Sequence, residues 1–219
     1  MGTILITGAN RGIGLELSRQ LTERGDVVIA LCRSTSPGLE ALGVRTFSGV
    51  DVTDEAALQR VSKELGDTVV DVLINNAGIF TNETFESLDI DKIRENFEVN
   101  ALGALKVTRA FQGHLRRGAK IALITSRMGS IADNESGNYY GYRMAKAALN
   151  MAGVNLAHDF QDRGVAVAIL HPGLVATEMT GRVGIPPAES AAGLIARIDA
   201  LALRDSGSFW HANGERLPW

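Results

Sequence analysis

The sequence predicts an α/β fold in which one doubly wound parallel sheet carries helices on both faces. Three observations support this. Short β-branched runs alternate with longer segments of helical period along the whole chain. The runs are apolar at consecutive positions, as suits strands covered on both faces. The first of them opens directly into a glycine-rich turn that leads a helix.

Taken in order, residues 3–6, 27–31, 44–47, 69–74, 121–125 and 165–170 read as strands. Residues 207–219, with Phe209, Trp210 and Trp219, read as a last edge strand and a tail, for about seven strands in all. Between the first two strands, Ile13, Leu15, Leu17 and Leu21 mark a helix that Gly25 stops. Between the third and fourth, Asp54 precedes Ala57, Leu58, Val61 and Leu65, and an acid at that end suits the helix dipole. Helices are expected at about 91–115, 139–161 and 188–203. Gly and Pro cluster at 129–141 and 173–187, loops that follow strands five and six on the carboxyl edge, where open sheets bind ligands. With no internal repeat or linker, residues 1–219 are expected to form a single domain, with a short substrate loop at about 178–187.

Composition excludes several classes. The 22 Lys+Arg against 25 Asp+Glu leave a net charge of −3, without the basic stripe of a nucleic-acid binder. The pair Arg116-Arg117 reads as a solvated helix end. A hydrophobic content of 45% and a charged content of 21% are globular rather than disordered. The single cysteine, Cys32, has no partner for an internal disulfide, which suits a reducing compartment. No apolar run reaches the ~20 residues of a membrane span. The strand at 3–6 leaves no room for a signal peptide, so a cytoplasmic protein is expected. The four histidines lack ligand spacing, and no metal site is expected.

The turn after the first strand is Thr7-Gly8-Ala9-Asn10-Arg11-Gly12-Ile13-Gly14. Glycines permit a tight strand-to-helix turn and let the backbone approach a pyrophosphate at the positive helix end. The spacing is Gly-x3-Gly-x-Gly, and no Gly-Lys-Ser/Thr follows, so it is not a Walker loop. NAD sites usually place an acid about 20 residues further on to hold the ribose 2′-hydroxyl. Here the second strand ends in Cys32-Arg33-Ser34. Arg33 and Arg11 are suited to clamp a 2′-phosphate, which favours NADP over NAD; the plain alternative is two arginines that touch nothing.

The glycine turn, Asn75-Asn76-Ala77-Gly78, Tyr142-x3-Lys146 and Pro172-Gly173 together resemble the short-chain dehydrogenases/reductases, in the right order over essentially the whole chain. Residues 125–131, residues 142–150 and the ending Pro218-Trp219 are most similar to the C-factor/sniffer-like carbonyl reductase branch. The resemblance implies a Rossmann-type domain, hydride transfer between NADP(H) and a carbonyl or alcohol, and a homodimer or homotetramer. It implies catalytic roles for Asn100, Ser126, Tyr142 and Lys146. It also places Gly8, Asn10, Arg11, Gly12, Ile13, Gly14 and Arg33 on the cofactor. Asp51 and Val52 match its adenine contact, and Asn76, Ala77 and Gly78 match the strand end lining the cofactor. Pro172, Gly173, Val175 and Thr177 match the backbone that anchors the nicotinamide, while Tyr142 and Lys146 reach its ribose.

The chemistry of the pair comes from its spacing. Tyr142 and Lys146 lie on one helix face. A tyrosine near pKa 10 is a poor proton donor or acceptor at neutral pH, and a neighbouring ammonium favours its phenolate. Tyr139 and Tyr140 have no lysine four residues on and read as pocket or loop packing. Ser126, at a strand end, is placed to hydrogen-bond the substrate oxygen; its rival Ser130 reads as a turn residue. It precedes Tyr142 by 16 residues, an interval that bears on pocket shape. Asn100 lies inside the expected helix, where an asparagine is by itself merely tolerated; the resemblance gives it a helix kink that holds a water linked to the lysine. The short loop after strand six suggests an open pocket, and Ile79, Phe80, Met128, Tyr139 and Leu174 would suit a hydrophobic carbonyl compound. A second function stays open: a dinucleotide-binding signalling protein of C-factor type in which turnover is incidental.

Overall fold

In the computed structural model, which describes residues 1–219, seven strands lie parallel in one sheet. They are β1 (Thr3–Thr7), β2 (Val27–Leu31), β3 (Arg45–Phe47), β4 (Val70–Asn75), β5 (Leu115–Ile124), β6 (Ala166–His171) and β7 (Phe209–His211). The spatial order is β3-β2-β1-β4-β5-β6-β7. The chain therefore builds outward from β1 in one direction and then in the other, and a crevice opens at the carboxyl ends of β1 and β4. No helix is long and apolar enough to cross a membrane.

Helices α1 (Gly12–Glu23) and α7 (Pro187–Ala200) cover one face of the sheet; α3 (Glu55–Leu65), α5 (Gly103–Phe111) and α6 (Tyr140–Asp159) cover the other. The strands feed both layers by alternation. Val167 and Ile169 of β6 join Leu149, Leu156 and Phe111, whereas Ala168 and Leu170 join Leu17, Leu21 and Leu194. Asp54 caps α3, its carboxylate accepting from the N–H groups of Ala56 and Ala57 at 2.9 and 3.1 Å.

Three elements depart from expectation. The helix expected over 91–115 is α4 (Ile90–Phe97), a π-turn (Glu98–Leu102), α5 and a 3-10 turn (Gln112–His114). Leu115 already belongs to β5, which begins six residues earlier than its apolar run. Arg116 and Arg117 therefore sit in the exposed start of a strand and not at a helix end. Polar residues hide the strand there, because Arg116 and Arg117 lie exposed in the irregular stretch where the pairing with β4 shifts register, between the Val70–Leu115 and Val72–Lys120 pairs. A short helix, α2 (Pro37–Ala41), lies outside the expected elements; Ser36 caps it through the Leu39 N–H at 3.2 Å, with Pro37 in the first turn.

Phe111 is fully buried beneath α5. Phe111→Ala is expected to cost about 3–5 kcal/mol, read as a lowered urea midpoint at an unchanged slope. A loss below about 1 kcal/mol would mean that the layer under α5 closes around the cavity.

Candidate active site

The glycine turn is held to β4 by Thr7 and Asn76. Thr7 Oγ1 accepts from the backbone N–H groups of Asn76 and Ala77 at 3.0 and 3.1 Å. The Asn76 amide donates to the carbonyls of Thr7 and Gly8 at 3.0 and 3.2 Å. This seam needs a glycine at position 14, where a Cβ would lie 2.2 Å from the Gly8 oxygen and 2.6 Å from Asn76 Nδ2. The first turn of α1 has neither an acid nor a side-chain cap, so its N–H groups remain open to an anion.

Above the β1/β4 crevice lies a cleft of about 1070 Å³. Gly8, Asn10, Arg11, Gly12 and Ile13 form its floor, and Arg33, Asp51 and Val52 close one end. Asn76, Ala77, Gly78 and Asn100 line one wall, Pro172 and Thr177 the other, and Tyr142 and Lys146 the far end. Gly14, Ser126, Gly173 and Val175 do not line it: Gly14 packs the turn, and Ser126 and Val175 are buried. The loop after β6 is short and closes on itself, with the Ile185 N–H donating to Leu174 O and the Ala176 N–H to Ile185 O. Cys32, Ser34, Thr125, Ala176, Glu178, Met179 and Arg182 also line the cleft; all but Arg182 lie close in sequence to an expected site residue.

Arg11 and Arg33 both line the cleft; Arg11 Nη1 meets Glu178 Oε2 at 2.8 Å, and Arg33 lies beside Asp51. Asp51 is both a turn residue and part of the cleft, accepting from the Thr53 N–H and hydroxyl at 2.9 and 2.8 Å. Burial raises its pKa, but those bonds and the charges of Arg33 and Lys106 outweigh it, leaving the carboxyl below its ordinary value.

At the far end, Tyr142 lies in the first turn of α6 and Lys146 one turn on, its Nζ 5.6 Å from the Tyr142 ring centroid. Lys146 is 4% exposed, and its Nζ donates to the Ile124 carbonyl at 2.9 Å. Ser126 lies beside Tyr142, and its Oγ accepts from the Met128 N–H at 3.1 Å. Burial pushes Tyr142 up to about 12 against the downward pull of Ser126. Burial also lowers Lys146 to about 8, which still leaves an ammonium at neutral pH. Asn100 stands in the π-turn, where its amide exchanges bonds with the N–H and C=O of Ile79 at 3.0 and 2.9 Å. Asn100 Oδ1 and Lys146 Nζ converge on Gly78, 2.7 and 3.8 Å from where a Cβ would begin.

Phe80 packs edge-on against Tyr142 at 4.9 Å and beside Tyr139 at 5.6 Å, while Tyr140 meets Phe85 at 6.3 Å. Ile79 and Phe80 line the cleft; Met128, Tyr139 and Leu174 do not. Ser130 is a turn residue, its Oγ accepting from the Asp133 N–H at 3.1 Å. Glu83, 4% exposed, is a residue that sequence reasoning misses: it accepts from the Gly141 N–H at 3.4 Å and so anchors the first turn of α6. The histidines are less scattered than expected. His171 and His211 meet across β6 and β7 at 4.9 Å, and burial holds His171 neutral, down to about 3. No group of three metal-ligating side chains forms.

The buried lysine gives stability a pH dependence of defined sign. Between about 8 and 10.5 the unfolded chain binds the proton that folded Lys146 has released, so stability rises with pH through that window. Urea unfolding of wild type and Lys146→Met should therefore diverge as pH is raised from about 8 toward about 10. Parallel curves would contradict the shift.

A family model described as short chain dehydrogenase matches residues 2–186. The 1-hydroxy-2-glutathionyl-2-methyl-3-butene dehydrogenase of Rhodococcus sp. (strain AD45) is 42% identical over 100% of both chains. The C-signal protein of Myxococcus xanthus is 43% identical over 68% of this chain and 93% of its own. Among solved structures, a carbonyl reductase from Pseudomonas aeruginosa PAO1 in complex with NADP is 34% identical over 100% of both chains, with a TM-score of 0.88. By its glycine turn, its sheet order and these likenesses, the chain belongs to the short-chain dehydrogenase family of oxidoreductases.

Proposed function

We propose that the protein interconverts a carbonyl and an alcohol using NADP(H), with Tyr142 as the acid/base. The observation that carries this reading is the pairing of Tyr142 and Lys146 at the end of a dinucleotide-sized cleft, with Ser126 buried beside them. The acid-free N-terminus of α1 would hold the pyrophosphate. Arg33, with no acid at the end of β2, suits a 2′-phosphate, and the Pseudomonas carbonyl reductase was crystallised with NADP. Pro172 and Thr177 line the wall that would meet the nicotinamide. The bound cofactor supplies or accepts the hydride.

Tyr142 gives its phenolic proton to the carbonyl oxygen in reduction and takes it back in oxidation. Ser126 steadies the same oxygen and the phenolate. Lys146, charged at neutral pH, stabilises the phenolate and turns from Ile124 to the ribose hydroxyls when these are present. Asn100 holds the π-turn against Ile79 and supports the lysine side of the relay. Ile79 and Phe80 present an apolar wall to substrate, with residues 178–187 as the short loop over it. A small hydrophobic carbonyl compound or alcohol suits that wall; the Rhodococcus relative is named for a hydroxy compound that carries a glutathionyl group. Buried, unpaired Cys32 suits a reducing cytoplasm.

The likeness to C-signal supports a second reading, a dinucleotide-binding signalling protein with incidental turnover. A carbonyl panel with NADPH and NADH separates the two. Tyr142→Phe should lose about 10²–10⁴-fold in kcat while keeping its cofactor affinity. Equal slow turnover in both proteins would favour signalling. Phe97, Leu105, Met144 and Met151 leave apolar side chains exposed on α4, α5 and α6, which supports a homodimer or homotetramer through those helices. Light scattering should give at least twice the chain mass; a monomer would refute the assembly.

A further inference from the structure

We infer that Glu178 sets how strongly the protein prefers NADPH to NADH, by competing with the 2′-phosphate for Arg11. The inference rests on the NADP(H) reading and concerns a residue outside the catalytic group. Three arginines line the cleft: Arg11, Arg33 and Arg182. Of these only Arg11 forms an ion pair, at 2.8 Å to Glu178.

The two partners belong to different loops. Arg11 closes the glycine turn after β1, and Glu178 opens the 3-10 turn (Glu178–Thr180) in the loop after β6. Their neighbours also meet, since Thr177 Cγ2 stands 3.3 Å from where a Cβ on Gly12 would begin. The pair thus spans the cleft where these loops approach. On its other flank the glycine turn is tied to the segment after β2, because Ser36 Oγ donates to the Asn10 carbonyl at 2.7 Å. Arg11 therefore stands between Glu178 on one side and the segment that carries Arg33 on the other.

A guanidinium on a long flexible arm reaches one anion at a time in each fork direction. Both side chains are about two-thirds exposed, so the pair is mobile enough to exchange partners. A 2′-phosphate carries more charge than a carboxylate and takes Arg11, but its binding is weakened by the strength of the pair it breaks. NADH presents a hydroxyl at that position and leaves the pair intact. Exposed ion pairs are weak, so the discrimination is a matter of about two- to five-fold. Asp51, the cleft acid beside Arg33, is occupied by Thr53 and does not replace Glu178.

Fluorescence titration of NADPH and NADH into wild type, Glu178→Gln, Arg11→Ala and the double variant tests this. The Gln substitution should tighten NADPH about two- to five-fold and leave NADH unchanged. In the Arg11→Ala background it should change neither. Equal tightening of both dinucleotides would place the effect on their shared pyrophosphate and overturn the proposal. So would an unchanged NADPH affinity in a protein whose wild type prefers NADPH. A wild type that binds both equally refutes the NADP(H) reading first, and the proposal falls with it.

Discussion

The joint between β1 and β4 is the constraint on which the site depends. These strands are neighbours in space yet far apart in the chain, and their carboxyl ends must part just enough to admit a ligand. Thr7 and Asn76 set that opening by bonding each other's backbone across the seam. Thr7 is 1% exposed, so its side chain leaves water to make these bonds, and an unmade partner there is costly. The glycine turn, the open end of α1 and the wall at Asn76–Gly78 all take their positions from this joint. A looser seam would enlarge the cleft but lose the close approach that backbone N–H groups need to hold a phosphate.

The far end of the cleft obeys a different logic. Burial acts on Tyr142 and Lys146 in opposite senses, holding the phenol protonated and the ammonium close to release. The shift of Tyr142 keeps it a phenol, and the Lys146 ammonium one turn on is the nearby positive charge that opposes this shift and favours loss of the proton. His171, kept neutral nearby, adds no competing charge to that balance.

The features legible in the sequence were local ones. Tyr142 and Lys146 share a helix face because their spacing requires it, and the glycine turn announces itself by three glycines after an apolar run. The strands at 27–31 and 165–170 were plain because both faces are buried. Features made by distant segments were not legible. Nothing near Arg11 signals Glu178, which arrives from the loop after β6. Glu83 lies far in sequence from the helix it anchors, and His171 and His211 meet only because β7 pairs with β6. The start of β5 was hidden because Arg116 and Arg117 face solvent, so their polarity masks extended backbone.

The π-turn at Glu98–Leu102 shows why a long periodic pattern misled about one continuous helix. Each residue added to a helix rotates the remainder of that helix by roughly 100°. The extra residue accommodated in the wide turn therefore changes phase between two tasks. Ahead of it, α4 presents Asn96 toward Asn100 and the loop after β4; beyond it, α5 presents Val107 and Phe111 to the core. A chain shortened by one residue here could keep an unbroken helix, but it would turn either the asparagine or the phenylalanine away from its place. In this segment length itself carries information: the site and the core are kept in step by a single surplus residue.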